Sequence, residues 1–357
     1  MERLKKVNRN GLFNSTLNFI RSIKEKDRIL IVCDDDVDGL CSAIVLKKTL
    51  ERMGIKRIKT SQTSIYKITK TNFNLRKFSK IIVMDLGIYS LQKDLKELLG
   101  RNFLLIDHHP ITQKIKSKNV IVINPRENDP EIYQPTSYIT YKLCSRLTKI
   151  KDMEWVAVLG TLGDYGFDDC KDLIKKYIHI KKKNEIWKTK FGKVAVILSV
   201  GISNFGPTFV FDIIKKSKNL SEIFRNKKLR KVYKKHSKFF GSEKKRFWKN
   251  VEIFKDIKLI ISTTPENEKL IDKSVVSAIS SEHLDTIIIL IQKVDDVYRA
   301  NVRYHGGDIN LGELLSYSAW GEGGGHRQAA GASIPLNKLS EFKKRFVKRI
   351  EELRKST

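Results

Sequence analysis

The sequence predicts an α/β protein of two domains: an N-terminal parallel sheet, a helical connector, and a smaller C-terminal α/β unit. Three observations carry this expectation. Short apolar runs alternate with helical patterns as far as Pro125, which is how βαβ units read. Several of those runs end on acidic or imidazole residues. A chain of 357 residues with 41% hydrophobic content is long for one core.

The first run, ILIVCDDDVDGLCS (29–42), goes straight from apolar residues into Asp34, Asp35, Asp36, Asp38 and Gly39, with a helical pattern over 40–50. An apolar run without polar alternation reads as a strand buried on both faces. The acids then sit at the carboxyl end of a central strand, where open α/β sheets place ligands. Four carboxylates within five residues repel one another, and a divalent metal is the simplest compensation. A second strand is expected within 53–63. KIIVMDLG (80–87) ends a third on Asp85, and SLQKDLKELLG (90–100) reads as helical. NFLLIDHHP (102–110) ends a fourth on Asp107, His108 and His109, and NVIVINP (119–125) a fifth on Asn124.

MEWVAVLGTLGDYG (153–166) reads as a buried helix stopping at Gly163, Asp164 and Tyr165. Asp164 alone in an apolar setting would be costly; beside metal ligands it has a purpose. Carboxylates with imidazole suit Mn²⁺ or Mg²⁺ better than the thiolate-rich sites of structural zinc. A bridging Asp, terminal Asp ligands and a His describe a two-metal centre for phosphate-ester hydrolysis. A lone D-x-D or His pair is usually a solvated loop, so the signal is the ordered set at strand ends.

Lys and Arg number 70 against 40 Asp and Glu, a formal charge of +30. That excess favours a polyanionic partner, nucleic acid before an anionic membrane. The charge is clustered. Residues 171–193 hold nine Lys against two acids, and 214–250 hold fifteen Lys or Arg against Glu222 and Glu243. Trp187, Phe224, Tyr233, Phe239, Phe240, Phe247 and Trp248 are interleaved, as suits a single strand whose bases stack on rings. A solvated helical linker is the plainer alternative. Cys33, Cys41, Cys144 and Cys170 form no C-x-x-C pair and are expected as reduced thiols. MERLKKVNRN has no signal-peptide core, and no apolar stretch reaches membrane-spanning length, so a cytoplasmic protein without membrane contact is expected.

The expected boundaries are 1–180 for the sheet domain, 181–250 for the basic helical connector and 251–357 for the last unit. In that unit KLIISTT, a helix over 268–283, TIIILIQK and VYRANVRY read as strand, helix, strand, strand, the last pair joined at VDDV. Arg303 closes the final strand. Gly323, Gly324, Gly325 and His326 read as a loop whose amides approach an anion, with Arg303 and His326 gripping phosphate. The helix LSEFKKRFVKRIEELRK is a basic amphipathic cap.

Together these residues resemble a known family. DDDVDG (34–39), DLG (85–87), DHH (107–109) and GD (163–164) are similar, in order and spacing, to the motifs of the DHH phosphoesterases. GEGGGHRQAAGA (321–332) resembles the glycine-rich motif of the DHHA1 domain that accompanies them. The likeness spans residues 25–335 and is nearest to the RecJ branch of single-strand nucleases. It implies Asp34, Asp36, Asp85, His108 and Asp164 as ligands of two Mn²⁺ or Mg²⁺ ions, with Asp85 bridging. It also implies His109 facing the scissile phosphate or leaving oxygen, Asp107 orienting the histidines, and Asp38 supporting the turn. Arg303, Gly323, Gly324, Gly325 and His326 would hold substrate. Where many members carry a His before the first aspartate, this sequence has Val32 and Cys33. The expected activity is exonucleolytic degradation of single-stranded DNA or RNA, with replication or repair proteins as partners. Hydrolysis of short oligonucleotides or cyclic dinucleotides, and a weakly active replication scaffold, are the alternatives.

Overall fold

The computed structural model of the chain describes residues 11–68, 70–71, 74–115, 117, 119–181, 183–271 and 274–355. The chain divides into two compact units, Met1–Tyr233 and Lys234–Thr357.

In the first unit, β1 (Ile29–Cys33) is buried at every residue. It joins β2 (Ile58–Gln62), β3 (Lys80–Met84), β4 (Phe103–Ile106) and β5 (Val120–Ile123) in an all-parallel sheet of order β2-β1-β3-β4-β5. The register fixes the chemistry. Cys33 pairs with Met84, Met84 with Ile106, and Ile106 with Ile123. The residues that follow, Asp34, Asp85, Asp107 and Asn124, therefore emerge side by side at one edge of the sheet.

Alternate strand residues feed two cores, as the two-residue period of a strand requires. Ile29, Ile31, Ile82, Met84, Leu104 and Ile106 face the main helical layer. This layer includes α1 (Gly11–Arg21), α2 (Val37–Arg52), α3 (Thr136–Cys144), α4 (Glu154–Gly163), α5 (Lys190–Phe205), α6 (Pro207–Lys216) and α7 (Leu220–Arg225). Leu30, Val32, Ile81, Val83, Phe103 and Leu105 face the other side, covered by Leu86, Ile88, Tyr89, Leu95 and Leu98. That cover differs from the helix expected over 90–100. It is a 3₁₀ turn (Ile88–Leu91) and one helical turn (Lys96–Leu99), held by burial of its leucines. The apolar run within 194–205 makes up the greater part of α5, which is stopped by Gly206 at φ +81°. No helix among the described residues is long and apolar enough to cross a membrane.

Helix α8 (Lys227–Lys249) passes through the division at Tyr233, so the residues expected as a separate connector are shared between the two units. The second unit is a six-stranded sheet of order β10-β11-β9-β8-β7-β6. Its strands are β6 (Val251–Phe254), β7 (Leu259–Thr263), β8 (Ile287–Val294), β9 (Val297–Arg303), β10 (Gly323–His326) and β11 (Ala329–Pro335). Helix α9 (Ser274–Glu282) connects the parallel pair β7 and β8 and starts later than the sequence pattern suggests. Helix α10 (Leu311–Ser318) precedes β10, and α11 (Leu339–Lys355) buries Phe342, Phe346 and Ile350. The turn between β8 and β9 lies at Asp295–Asp296, within the expected VDDV, with Asp295 at φ +53°.

Candidate metal centre

The acidic turn after β1 is built by close backbone approach. Asp36 caps α2, accepting from the Gly39 amide at 2.9 Å, and a Cβ on Gly39 would lie 2.6 Å from the Asp34 carbonyl oxygen. Asp38 points inward and is fully buried. It accepts from the amides of Thr136 at 2.6 Å and Ser137 at 3.1 Å, at the buried amino end of α3, where the first amides have no partner within the helix. Gly163, at the end of α4, lets that helix approach the first turn of α2: its Cβ would sit 2.9 Å from Val37. This places Asp164 near the strand-end acids.

Asp85 is 1% exposed and holds φ +64°, a left-handed conformation that Asp tolerates better than most residues. Its Oδ1 accepts from Thr136 Oγ1 at 2.9 Å and lies 3.1 Å from His108 Nε2. The same Nε2 is 3.2 Å from Asp164 Oδ2, and Tyr133 donates its hydroxyl to that oxygen at 3.4 Å. Two sets of three ligand atoms come within 4.8 Å of one another: Asp85, His108 and His109, and Asp38, His108 and Asp164. Both contain His108. Asp36 lies within the field of these acids, its charged form disfavoured by burial and then by Asp85 and Asp164. Asp34 stands at the strand end beside Asp85, and its Oδ1 accepts from the Asp35 amide at 2.7 Å. Sequence reasoning gave Asp38 a supporting part; the geometry puts its carboxylate in a ligand set.

His109 is held separately. Its Nδ1 lies 2.8 Å from Asp107 Oδ1, and because a carboxylate only accepts, Nδ1 carries the proton. Gly87, at φ +52°, lies against the ring, where a Cβ would come within 3.1 Å. Asn124 donates to the His109 carbonyl at 2.9 Å and to the Tyr89 hydroxyl at 2.7 Å. His108 and His109 are thus fixed with ring centroids 4.7 Å apart.

The electrostatics are those of a site short of positive charge. Burial, then Asp85, pushes Asp34 up to about 7. Burial, with the carboxylates of Asp85 and Asp164, holds Asp36 and Asp38 well above the usual carboxylate range. Burial also opposes ionisation of Asp164 and Asp107, yet their imidazole partners keep both below their ordinary value. His108 and His109 are raised by the same contacts against the pull of burial.

A divalent cation fits this donor set. His108 Nε2 is buried and close to two carboxylate oxygens, yet it makes no hydrogen bond among the described residues. Donors converge on shared space there instead of pairing with one another. A carboxylate must lose its proton to bind a cation. Apparent Mn²⁺ affinity should therefore climb as pH rises towards about 7, where Asp34 titrates, by about tenfold per pH unit for one coupled proton. The metal-free protein should lose stability over the same range. Its raised carboxyl holds a proton that the unfolded chain, with an ordinary value of 3.8, has released. Calorimetric Mn²⁺ titration and metal-free melting across this range check both signs.

In the second unit the glycine run is an edge strand, not a loop. Antiparallel pairing of Gly323 with Ala332 and Gly325 with Ala330 draws it into the sheet. Gly325 has φ +142° and no room for a Cβ, whereas a Cβ on Gly324 would meet nothing within 4 Å. Arg303 ends β9 and donates from Nε to Ser277 Oγ at 3.1 Å. The anion contact expected of the His326 side chain lies outside the described residues. Of the aromatics expected to stack on bases, Phe247 is core, while Phe239 and Trp248 are exposed at 44% and 36%.

Sequence reasoning missed Thr136, Ser137, Tyr133 and Tyr89, which have no motif and act from a helix start or a loop. It also gave no part to the ring of Tyr165. That residue follows Asp164 at φ +56°, is 51% exposed, and packs edge-on against Trp187 with centroids 5.0 Å apart.

Comparison with known proteins agrees with this fold. Residues 28–162 match the DHH family N-terminal domain and residues 256–352 the DHHA1 domain, so the chain belongs to the DHH–DHHA1 family. Among solved structures it is similar to exonuclease RecJ bound to manganese (TM-score 0.60, 16% identity, covering 96% of this chain and 94% of that one). It is also similar to a pGpG-specific phosphodiesterase from Vibrio cholerae (0.57, 16%, 91% and 99%). A third is CDC45 from Entamoeba histolytica (0.56, 12%, 95% and 98%). At these identities the likeness is one of fold. No curated protein matches the sequence.

Proposed function

We propose that the chain is a metal-dependent phosphodiesterase acting as an exonuclease on single-stranded nucleic acid. The observation that carries the hydrolytic reading is the pair of ligand sets sharing His108 at the carboxyl edge of the first sheet. Asp34, Asp36, Asp38, Asp85, His108 and Asp164 would hold two divalent ions, Mn²⁺ or Mg²⁺. Bound there, the ions supply an activated water and neutralise phosphate charge. Asp107 fixes the His109 ring, whose other nitrogen is free to hold a proton for the leaving oxygen; the side chain is 40% exposed, so substrate can reach it. Arg303 and the open backbone at Gly324 suit phosphate binding by the second unit.

The net charge of +30 and the exposed cations of α8 favour a long strand over a dinucleotide. The similarity to a pGpG-specific phosphodiesterase keeps short substrates as the second reading. A replication role, with replication or repair proteins as partners, rests on the family resemblance and the CDC45-like fold. End-labelled single strands of DNA and RNA, the matching duplexes and a dinucleotide, each with Mn²⁺ or Mg²⁺, test the proposal. Single strands should be shortened from one end faster than duplex or dinucleotide is cut. Faster hydrolysis of the dinucleotide would make the second reading the right one.

A further inference from the structure

We propose that the opposite edge of the first sheet, at the amino ends of β1, β2 and β3, is a second, non-catalytic site for the phosphate backbone of a nucleic-acid strand. This rests on the reading of the chain as a nucleic-acid hydrolase and assigns it an additional binding surface.

A concave surface of about 800 Å³ lies there, lined by Arg28, Lys56, Arg57, Lys59, Lys77 and Phe78 among others, with no acid in its lining among the described residues. Parallel pairing creates the cluster. Ile29 stands opposite both Ile58 and Lys80, so the residues just before the three strands share one edge. The strand starts are tied together: Ile29 N donates to Arg57 O at 2.9 Å, Ser79 N to Arg28 O at 2.9 Å, and Arg28 N to Ser79 Oγ at 3.1 Å. The backbones that carry the cations are therefore fixed while the side chains stay exposed.

The nearby acids do not neutralise the surface. Glu25 pairs with Lys56 at 3.1 Å, with both side chains more than two-thirds exposed, so salt and water screen the pair. Asp27 accepts from the Lys24 amide at 2.7 Å. Among the described residues, Arg28, Arg57, Lys59 and Lys77 make no ion pair. Five cations with one half-buried ring suit contact with a run of phosphates, with little reading of bases.

Geometry separates this surface from the metal centre. The sheet carries acids at its carboxyl edge and cations at its amino edge. Five residues of strand at about 3.3 Å each set the two edges about 17 Å apart. A dinucleotide held at the acids cannot reach the cations, whereas a long strand can. The second site should raise affinity for long strands alone.

The test compares wild type with the triple variant Arg28→Ala, Arg57→Ala, Lys77→Ala, and with the milder pair Lys59→Gln, Lys77→Gln in case the triple variant folds poorly. Affinity for a long single strand is measured by fluorescence anisotropy over a salt series, beside dinucleotide hydrolysis and polyglutamate binding. Each phosphate contact on a single strand contributes about 0.7 to the salt slope, so loss of three should flatten it by about 2. Dinucleotide hydrolysis should not change. An unchanged slope overturns the proposal, and so does a variant that loses polyglutamate binding but not strand binding, since the surface would then fit an acidic protein segment. A slope that falls as expected in a protein hydrolysing no strand supports the site while removing the proposed activity.

Discussion

Replacing Asp85 with Asn should lower phosphodiester hydrolysis by about a thousandfold or more while the protein stays folded. Asp85 is the carboxylate that faces both Thr136 and His108 and belongs to one of the two ligand sets. In the proposed centre, loss of its charge removes a ligand; such metal-ion stabilisation is worth several kcal/mol, and each 1.36 kcal/mol is about tenfold in rate. Asn is the informative replacement because the residue sits at φ +64°, which Asn tolerates. Asp85→Ala should lose the same activity and add about 1 kcal/mol of backbone strain. Steady-state hydrolysis of a single strand with Mn²⁺, beside a thermal melt, reads both effects. An Asn variant with near wild-type rate would remove Asp85 from the site.

Gly39→Ala should disable the centre although Gly39 itself supplies no ligand atom. The new Cβ would lie 2.6 Å from the Asp34 carbonyl oxygen and 2.9 Å from the Asp34 Cα, and backbone atoms cannot turn aside as a side chain can. Overpacking of this kind costs about 1–3 kcal/mol. Relief requires the Asp34 end of β1 and the start of α2 to part, carrying Asp34, Asp36 and Asp38 with them. A displacement near 1 Å at reacting groups costs about a hundredfold in rate. The variant should melt earlier, bind Mn²⁺ more weakly and hydrolyse slowly. Gly324→Ala is the contrast, because open space surrounds that position and stability should not change.

Much of the first sheet is legible in the sequence because each strand is an uninterrupted apolar run that ends on its chemistry. Asp34, Asp85 and Asp107 can be placed at one edge from the order of residues alone, since parallel strands in register share their ends. The partners of those acids are not legible. Asp38 is fixed by two amides at the start of α3, nearly a hundred residues away, and a backbone donor leaves no trace in composition. The cover over 90–100 has leucines at helical spacing, yet its residues pack as turns, because periodicity reports burial and not hydrogen bonding. The glycine run reads as a loop for the opposite reason. Its strand character comes from the pairing of Gly323 to Ala332, which residue preference does not signal.

The proposed activity depends on Asp34, Asp36, Asp38, Asp85, His108 and Asp164 enclosing divalent cations. Anomalous diffraction from crystals soaked in Mn²⁺ tests it most directly. Two manganese peaks are expected at the carboxyl edge of the first sheet, with His108 and Asp85 among their ligands. Crystals with no peak there, or with manganese bound only elsewhere, would contradict it.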